Sequence, residues 1–203
     1  MAKKKTEEHK STEAEEMSMS LEEAVESLAG ANRRRRQEAS RVVAQQALDD
    51  PKPLADYAEQ LIDALFRPEA QTRWEVLDAL TCMCQAQVAD VSSAAEGAEA
   101  ALFDENAAVV RLAAFRLLAA LGAQSPAASD EHWPLLNEAI QCYHGDTEYR
   151  EMLVALVDFA QGDISSETRD ALVERMSFDA DNGRGYIRSL SRDVLTAAGV
   201  KVS

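Results

Sequence analysis

The chain has 203 residues, which suits one domain of ordinary size with a tail. Hydrophobic residues make up 46% and aromatic residues only 5%, while Gly (8) and Pro (5) are scarce, so the composition favours helix over sheet. The net charge is -15, and residues 1–53 hold 11 of the 36 acidic and 10 of the 21 basic side chains, so the excess negative charge lies after residue 53. A body this acidic repels phosphate backbones and anionic lipid surfaces.

The first 19 residues are mostly Lys, Glu, Ser and Thr, and we predict a disordered charged tail over residues 1–19. Its opening Met-Ala-Lys-Lys-Lys lacks the apolar core of a signal peptide. The sequence contains no run of 18 apolar residues, so we predict no membrane-spanning helix. The three cysteines are an odd and sparse set that suits a reducing compartment, so we expect a cytoplasmic protein.

Two helices are predicted before the main body. Ser20 and Glu23 have the spacing of a capping box and start a short helix. A second helix, capped by Asn32, runs to Leu48 and ends before two prolines. We interpret residues 20–53 as an N-terminal helical cap.

From residue 54 onward, a helix, a short break and another helix follow one another four times, which is typical of an array of helical hairpins. We therefore interpret residues 54–203 as one repeat domain of about four hairpins, with little or no strand. The predicted helices are 54–66, 69–86, 88–103, 107–121, 133–143, 147–160, 166–176 and 186–198.

One arginine near the start of each second helix measures the period of the array. The spacings between successive arginines are 38, 38, 39 and 38 residues for the series Arg35, Arg73, Arg111, Arg150 and Arg188. Apolar residues follow the three central arginines at positions +3, +4 and +7. This register fades at both ends, as expected for terminal repeats, which have one face without a neighbour.

The unit from Asp104 to Gly122 carries the most specific motif, with Asp104, the pair Val110-Arg111, alanines and the pair Leu121-Gly122 in order. In this pattern, and in its period over roughly residues 54–199, the chain resembles HEAT-repeat proteins. The resemblance implies an all-α fold, a right-handed α-α superhelix with the second helices on its concave face. It also implies a role in binding macromolecules.

In HEAT-like proteins the arginine at the start of a second helix typically reaches an acidic residue of a neighbouring repeat. The resemblance therefore implies that four arginines form a structural ladder between repeats: Arg73, Arg111, Arg150 and Arg188. The alternative is that these arginines point into the concave groove and receive an anionic surface of a partner.

We expect a further set of charged side chains on the second helices to face solvent in the groove and to contact a partner. They are Glu75, Asp78, Arg116, Glu151, Asp158 and Arg192. Because their charge alternates along the superhelix, they suit a protein partner better than a polyanion. The sequence thus predicts a non-enzymatic protein-binding or scaffolding module.

A cluster of four arginines supports a second hypothesis. Arg33, Arg34, Arg35 and Arg36 are expected to be solvated or paired with the acidic body, and the alternative is contact with an anion or a nucleic acid. The alternative function is a nucleic-acid-associated protein that uses this segment. No aromatic residue lies nearby to stack on bases, so such binding would be weak and sensitive to salt.

No catalytic motif is present in the sequence, and we predict neither an enzyme nor a cofactor or metal site. There is no Gly-rich phosphate loop, nucleophile elbow or His-Glu-x-x-His, and none of the three histidines precedes a Glu. Cys82 and Cys84 point to different sides of one helix, and we expect both, with Cys142, to be small buried hydrophobic residues. Trp74 and Trp133 lie near helix starts, where we expect them to pack between helices, and the alternative is that an exposed tryptophan anchors a partner.

Overall fold

The computed structural model describes residues 19–201, and within this range all regular secondary structure is helical. Two 3₁₀ helices, Lys52–Tyr57 and Ser92–Ala94, precede the third and fifth α-helices. The α-helices are α1 (Leu21–Ala29), α2 (Arg33–Asp49), α3 (Ala58–Ala64), α4 (Ala70–Gln85), α5 (Ala95–Leu102), α6 (Ala108–Gly122), α7 (Pro126–Cys142), α8 (Tyr149–Gln161), α9 (Ser166–Asn182) and α10 (Tyr186–Ala197). The predicted tail lies outside the described residues except for Met19, which packs against the core.

The even-numbered helices form a single row of second helices. Within it, α2 packs on α4, α4 on α6, α6 on α8, and α8 on α10. The first helices α1, α3, α5 and α9 each pack against the second helix that follows, whereas α7 packs mainly beside α6. This arrangement confirms the predicted all-α solenoid. No helix in the described part of the chain is long and apolar enough to cross a membrane.

The N-terminal segment folds as a complete hairpin. The Ser20 hydroxyl accepts a hydrogen bond from the backbone N–H of Glu23 at 3.2 Å, and the Glu23 carboxylate accepts one from the backbone N–H of Ser20 at 3.0 Å. These reciprocal bonds satisfy two donors at the start of α1. Val25 and Leu28 of the same helix are buried. Because α2 packs on α4 as the later second helices pack on one another, this hairpin is the first unit of the row.

The start of α7 differs from the prediction. The helix begins at Pro126 and not near Trp133, and the hydroxyl of Ser125 accepts a hydrogen bond from the backbone N–H of Ala128. Pro126 fits the first helical position, where its missing N–H has no partner to lose. Pro134 lies inside the helix, at the cost of one backbone hydrogen bond. A proline in the sequence is compatible with a helix start or a tolerated interior position, and only the packing distinguishes the two.

The central helix α6 is buried on almost every side, and 10 of its 15 residues are buried. It approaches α8 closely at their C-terminal ends. A Cβ on Gly122 would lie 2.8 Å from the ring of Phe159, and one on Gly162 would lie 2.5 Å from the carbonyl oxygen of Ala123. Glycine is required at both positions because any side chain would separate the two helices.

Candidate binding groove on the second helices

A groove of about 800 Å³ crosses four consecutive second helices. All of its lining residues belong to α2, α4, α6 and α8 or to the turns that follow α6 and α8, and the first helices contribute none. The row of second helices is the surface on which the sequence analysis placed partner binding.

The apolar part of the groove combines small side chains with a few large exposed ones. Ala119 and Ala120 of α6 line its middle with little bulk. At its edges, Leu48 is 72% exposed and Val154 is 37% exposed, and Trp74 is half-buried. Exposed apolar side chains next to a depression are typical anchors for a partner.

Four of the six predicted contact residues line this groove as half-buried or exposed side chains: Asp78, Arg116, Glu151 and Asp158. Arg116 of α6 lies between the acidic residues of the two neighbouring helices. Its guanidinium is 3.2 Å from Oε2 of Glu151 on α8 and 3.9 Å from Oδ1 of Asp78 on α4. Burial raises the pKa of Asp78, and Arg116 acts in the opposite direction.

The two other predicted contact residues are placed differently. Glu75 lines the groove but is only 4% exposed, because its carboxylate accepts hydrogen bonds from the Ser40 hydroxyl and from the Gln71 amide. Arg192 lies outside the groove, where its Nε donates to the carbonyl of Ala180 at 3.1 Å. The expectation that both face solvent in the groove is therefore wrong. Glu75 pairs with Ser40, which is 35 residues away in the chain, so the sequence around Glu75 does not predict its burial.

One basic side chain of the groove was missed by the sequence analysis. Arg41 lines the groove from α2, is largely exposed, and has its Nε 3.9 Å from the Glu75 carboxylate. Its place in the groove could not be predicted from the sequence because α2 was interpreted as part of a cap outside the repeats.

Two arginines of the predicted ladder contact acidic residues of the next repeat. Nη2 of Arg73 lies 2.7 Å from Oδ2 of Asp104. Nε of Arg111 donates to Glu148 at 2.7 Å, its Nη1 donates to the Asp104 carbonyl at 2.7 Å, and its guanidinium lies 4.6 Å from the centre of the Tyr143 ring. Neither arginine lines the groove.

The pKa values of these acidic residues reflect the ion pairs. For Asp104 and Glu148, burial acts to raise the pKa, but the arginine and other hydrogen bonds outweigh it and hold each pKa below its usual value. Both carboxylates are therefore charged in the folded protein at neutral pH, and the pairs lie between successive second helices.

The ladder expectation is wrong for Arg150 and Arg188. Arg150 pairs with Glu151 of its own helix, and Arg188 forms no salt bridge within residues 19–201. The segment 183–185 between α9 and α10 contains no acidic residue, and Asp181, which follows Arg150 by 31 residues as Asp104 follows Arg73, lies in the last turn of α9 and forms no salt bridge with Arg150 within residues 19–201. No later helix of the row is described beyond α10 to pair with Arg188.

At the N-terminal end, Arg36 replaces Arg35 in the series. Arg36 is buried, its Nε donates to Oε2 of Glu69 at 3.0 Å, and its Nη1 donates to the Gly30 carbonyl at 2.7 Å. The hydrogen bond from Arg36 lowers the pKa of Glu69. Arg36 is therefore paired with an acidic residue of the body, the first of the two alternatives given for the cluster, and it is not exposed to an external anion.

The other three members of the arginine cluster, Arg33, Arg34 and Arg35, are exposed. Arg34 pairs with Glu38 one turn along the same helix, at 2.9 Å. The surface available for an anion is therefore smaller than the sequence suggests.

The two tryptophans lie in different environments. Trp133 is buried and stacks on Phe159 of α8, with ring centroids 6.0 Å apart, whereas Trp74 lines the groove.

Among the cysteines, Cys84 is buried, and burial raises its pKa to about 11. Cys142 is exposed, so the expectation of a buried thiol is wrong there.

A hydrogen-bonded cluster near the last hairpin was also missed. Oδ2 of Asp179 lies 3.1 Å from Nε2 of His144 and accepts a hydrogen bond from the Tyr149 hydroxyl at 3.2 Å. Burial and the neighbouring Asp179 carboxylate raise the pKa of Tyr149. These contacts join the α7–α8 turn to α9.

No family model matches this chain, and no curated protein matches it. Solved structures of engineered repeat proteins share its fold. An engineered protein of the Northeast Structural Genomics Consortium has a TM-score of 0.70 at 21% identity, over 88% of this chain and 81% of that chain. A designed armadillo repeat protein in complex with the peptide (KR)4 has a TM-score of 0.70 at 16% identity, with the same coverage.

A third structure, of computationally designed armadillo repeat proteins for modular peptide recognition, has a TM-score of 0.67 at 15% identity over 87% of this chain and 81% of that chain. At these identities the similarity shows the fold alone. The chain is a helical-repeat solenoid.

Proposed function

We propose that this chain is a non-enzymatic binding module that holds a segment of a partner protein along the groove of its second helices. The observation that carries the proposal is the continuous groove over α2, α4, α6 and α8, with exposed apolar side chains at Leu48 and Val154. Burying such side chains against a partner is the main source of affinity in protein recognition.

The charges of the groove favour a protein over a nucleic acid. Four acidic side chains and two basic ones line it. This excess of negative charge repels a phosphate backbone. A protein segment can match such a mixed surface with its own charges and apolar groups. Two of the similar folds are a designed armadillo repeat protein in complex with a peptide and designed armadillo repeat proteins for modular peptide recognition, which supports the same role here.

The test uses the full chain and three fluorescent nonapeptides that share two leucines and differ in carrying four lysines, four glutamates or four glutamines. We expect at least one to bind, as measured by fluorescence anisotropy. The double variant Leu48→Ser/Val154→Ser should weaken that binding about tenfold, because two exposed apolar anchors are lost. Both side chains are exposed, so the fold should tolerate the change.

The matched control is Phe66→Ser/Val109→Ser, which removes two exposed apolar side chains that do not line the groove. We expect it to leave the affinity unchanged. Equal losses in the two double variants, or no binding of any of the three peptides, would refute the proposal.

A further inference from the structure

Arg116 divides the charged surface of the groove into two acidic subsites. On one side, α4 contributes Asp78 and, one turn earlier, the half-buried Trp74, and Arg41 of α2 lies near Glu75 of α4, at 3.9 Å. On the other side, α8 contributes Glu151 and Asp158. The guanidinium of Arg116 lies between them on α6 and contacts a carboxylate of each neighbouring helix. A positive charge therefore already occupies the middle of the groove.

The carboxylates of the groove differ in how far the folded chain satisfies them. Glu75 accepts hydrogen bonds from two side chains, and Glu151 accepts them from Arg116 and Arg150. Within residues 19–201, neither Asp78 nor Asp158 accepts a hydrogen bond from a side chain, and the salt bridge of Asp78 to Arg116 is long, at 3.9 Å. Each subsite therefore contains one carboxylate able to receive a donor from a partner.

The helix packing sets the separation of the backbones that carry Asp78 and Asp158. Packed helices are about 8–10 Å apart, so the axes of α4 and α8, with α6 between them, are separated by roughly 16–20 Å. The Asp78 and Glu151 carboxylates are closer than this, because both side chains reach Arg116. An extended chain advances about 3.3 Å per residue, so this distance corresponds to about five or six residues.

Within the proposed function, we infer that the groove takes an extended segment of a partner with two basic side chains five or six residues apart, one at Asp78 and the other at Asp158. The first would also lie beside the Trp74 ring, which attracts cations. Arg116 sets the spacing, because it repels a basic side chain placed between the subsites. Apolar residues of the same segment would contact Val154 and Leu48.

The spacing is tested with two labelled nonapeptides of identical composition, each with two lysines among neutral residues. The lysines stand at positions 2 and 7 in the spaced peptide and at positions 4 and 5 in the adjacent one. We expect the full chain to bind the spaced peptide about tenfold more tightly at low ionic strength. Equal affinities would overturn the inference while leaving the result of the Leu48 and Val154 test intact.

The role of Arg116 is tested with Arg116→Gln. This change removes the central charge, so the adjacent peptide should gain affinity and the tenfold preference should fall to about twofold. The control Arg188→Gln changes the net charge by the same amount on α10, outside the groove, and should keep the preference. A preference that is unchanged in Arg116→Gln would show that Arg116 does not set the spacing.

Two further variants identify the subsites. Asp78→Asn and Asp158→Asn should each lower the affinity for the spaced peptide about tenfold. Circular dichroism should show that both variants retain the helical content. Asp158 is exposed, so loss of binding in Asp158→Asn cannot come from loss of the fold. Full binding by both variants would overturn the inference.

Discussion

The helices α2 to α8 and the last hairpin, α9 and α10, are joined to their neighbours in different ways. Between α2 and α8, an arginine near the start of one second helix pairs with an acidic residue ahead of the next. No arginine–carboxylate pair of this kind links α8 to α10 within residues 19–201. The last hairpin instead uses hydrogen bonds such as those from Arg169 to the carbonyls of Ala160 and Ala198.

This difference shows that the repeated arginine marks the register of the repeats but does not form the contact alone. Each pair needs an acidic residue about one repeat later, ahead of the next second helix. Arg111 has Glu148 there, whereas the segment between α9 and α10 is Gly183, Arg184 and Gly185, and the nearest acidic residue before it, Asp181, belongs to the last turn of α9.

The largest expected effect comes from breaking a pair in the central region. Arg111→Met leaves the Glu148 carboxylate buried without its guanidinium partner, and we expect the free energy of unfolding to fall by about 3 kcal/mol. Urea denaturation at neutral pH measures this value. The double variant Arg111→Met/Glu148→Met should recover part of the loss, because it leaves no buried charge unpaired. A loss below about 0.5 kcal/mol would place this pair with ordinary surface pairs.

A smaller effect is expected from acid. The carboxyls of Glu69, Asp104 and Glu148 have pKa values below their usual ones, so their pairs stabilise the folded state at neutral pH. This stabilisation should be lost as the pH falls from about 4.5 through the folded-state pKa values, because the unfolded chain then binds more protons. Urea midpoints measured from neutral to acid pH should therefore fall, and fall less steeply in Arg111→Met. If the urea midpoints of the natural chain and of Arg111→Met fall equally with pH, the pair of Glu148 with Arg111 does not contribute to the acid sensitivity.

A gain of stability is expected when an acidic residue is placed between α9 and α10. Arg184→Glu places a carboxylate ahead of α10, within the segment where the earlier repeats have theirs, and should add about 0.5 kcal/mol by pairing with Arg150. Arg184→Ala is the control that removes the positive charge without adding a partner. If the two variants are equally stable, the acid alone does not create the contact.

The smallest effect is expected for Arg150→Met in the natural background. Its partner Glu151 is its own neighbour on α8 and both are partly exposed, so the change should alter the free energy of unfolding by less than about 0.5 kcal/mol. In the Arg184→Glu background the same substitution should remove the gain. A loss near that of Arg111→Met would mean that Arg150 has a partner in the folded chain that its local contacts do not reveal.

Much of the groove could be predicted from the sequence because its helices repeat at a constant period. Asp78, Arg116, Glu151 and Asp158 were selected from their positions on second helices, and all four line the groove. Arg41 was missed because the first hairpin lacks the motif of the central unit, although α2 packs in the same row.

Apolar spacing and capping residues determined by themselves that this chain forms helices, because both depend on neighbours within a few turns. The recurrence of arginine every 38 or 39 residues determined the length of the repeat, because it can be counted along the sequence. Only the tertiary structure decided which charges are buried. Arg36 and Glu75 look like solvated residues in the sequence, yet both are enclosed by partners more than 30 residues away. A charged side chain becomes buried only when another helix supplies its hydrogen bonds, and that depends on how the hairpins pack.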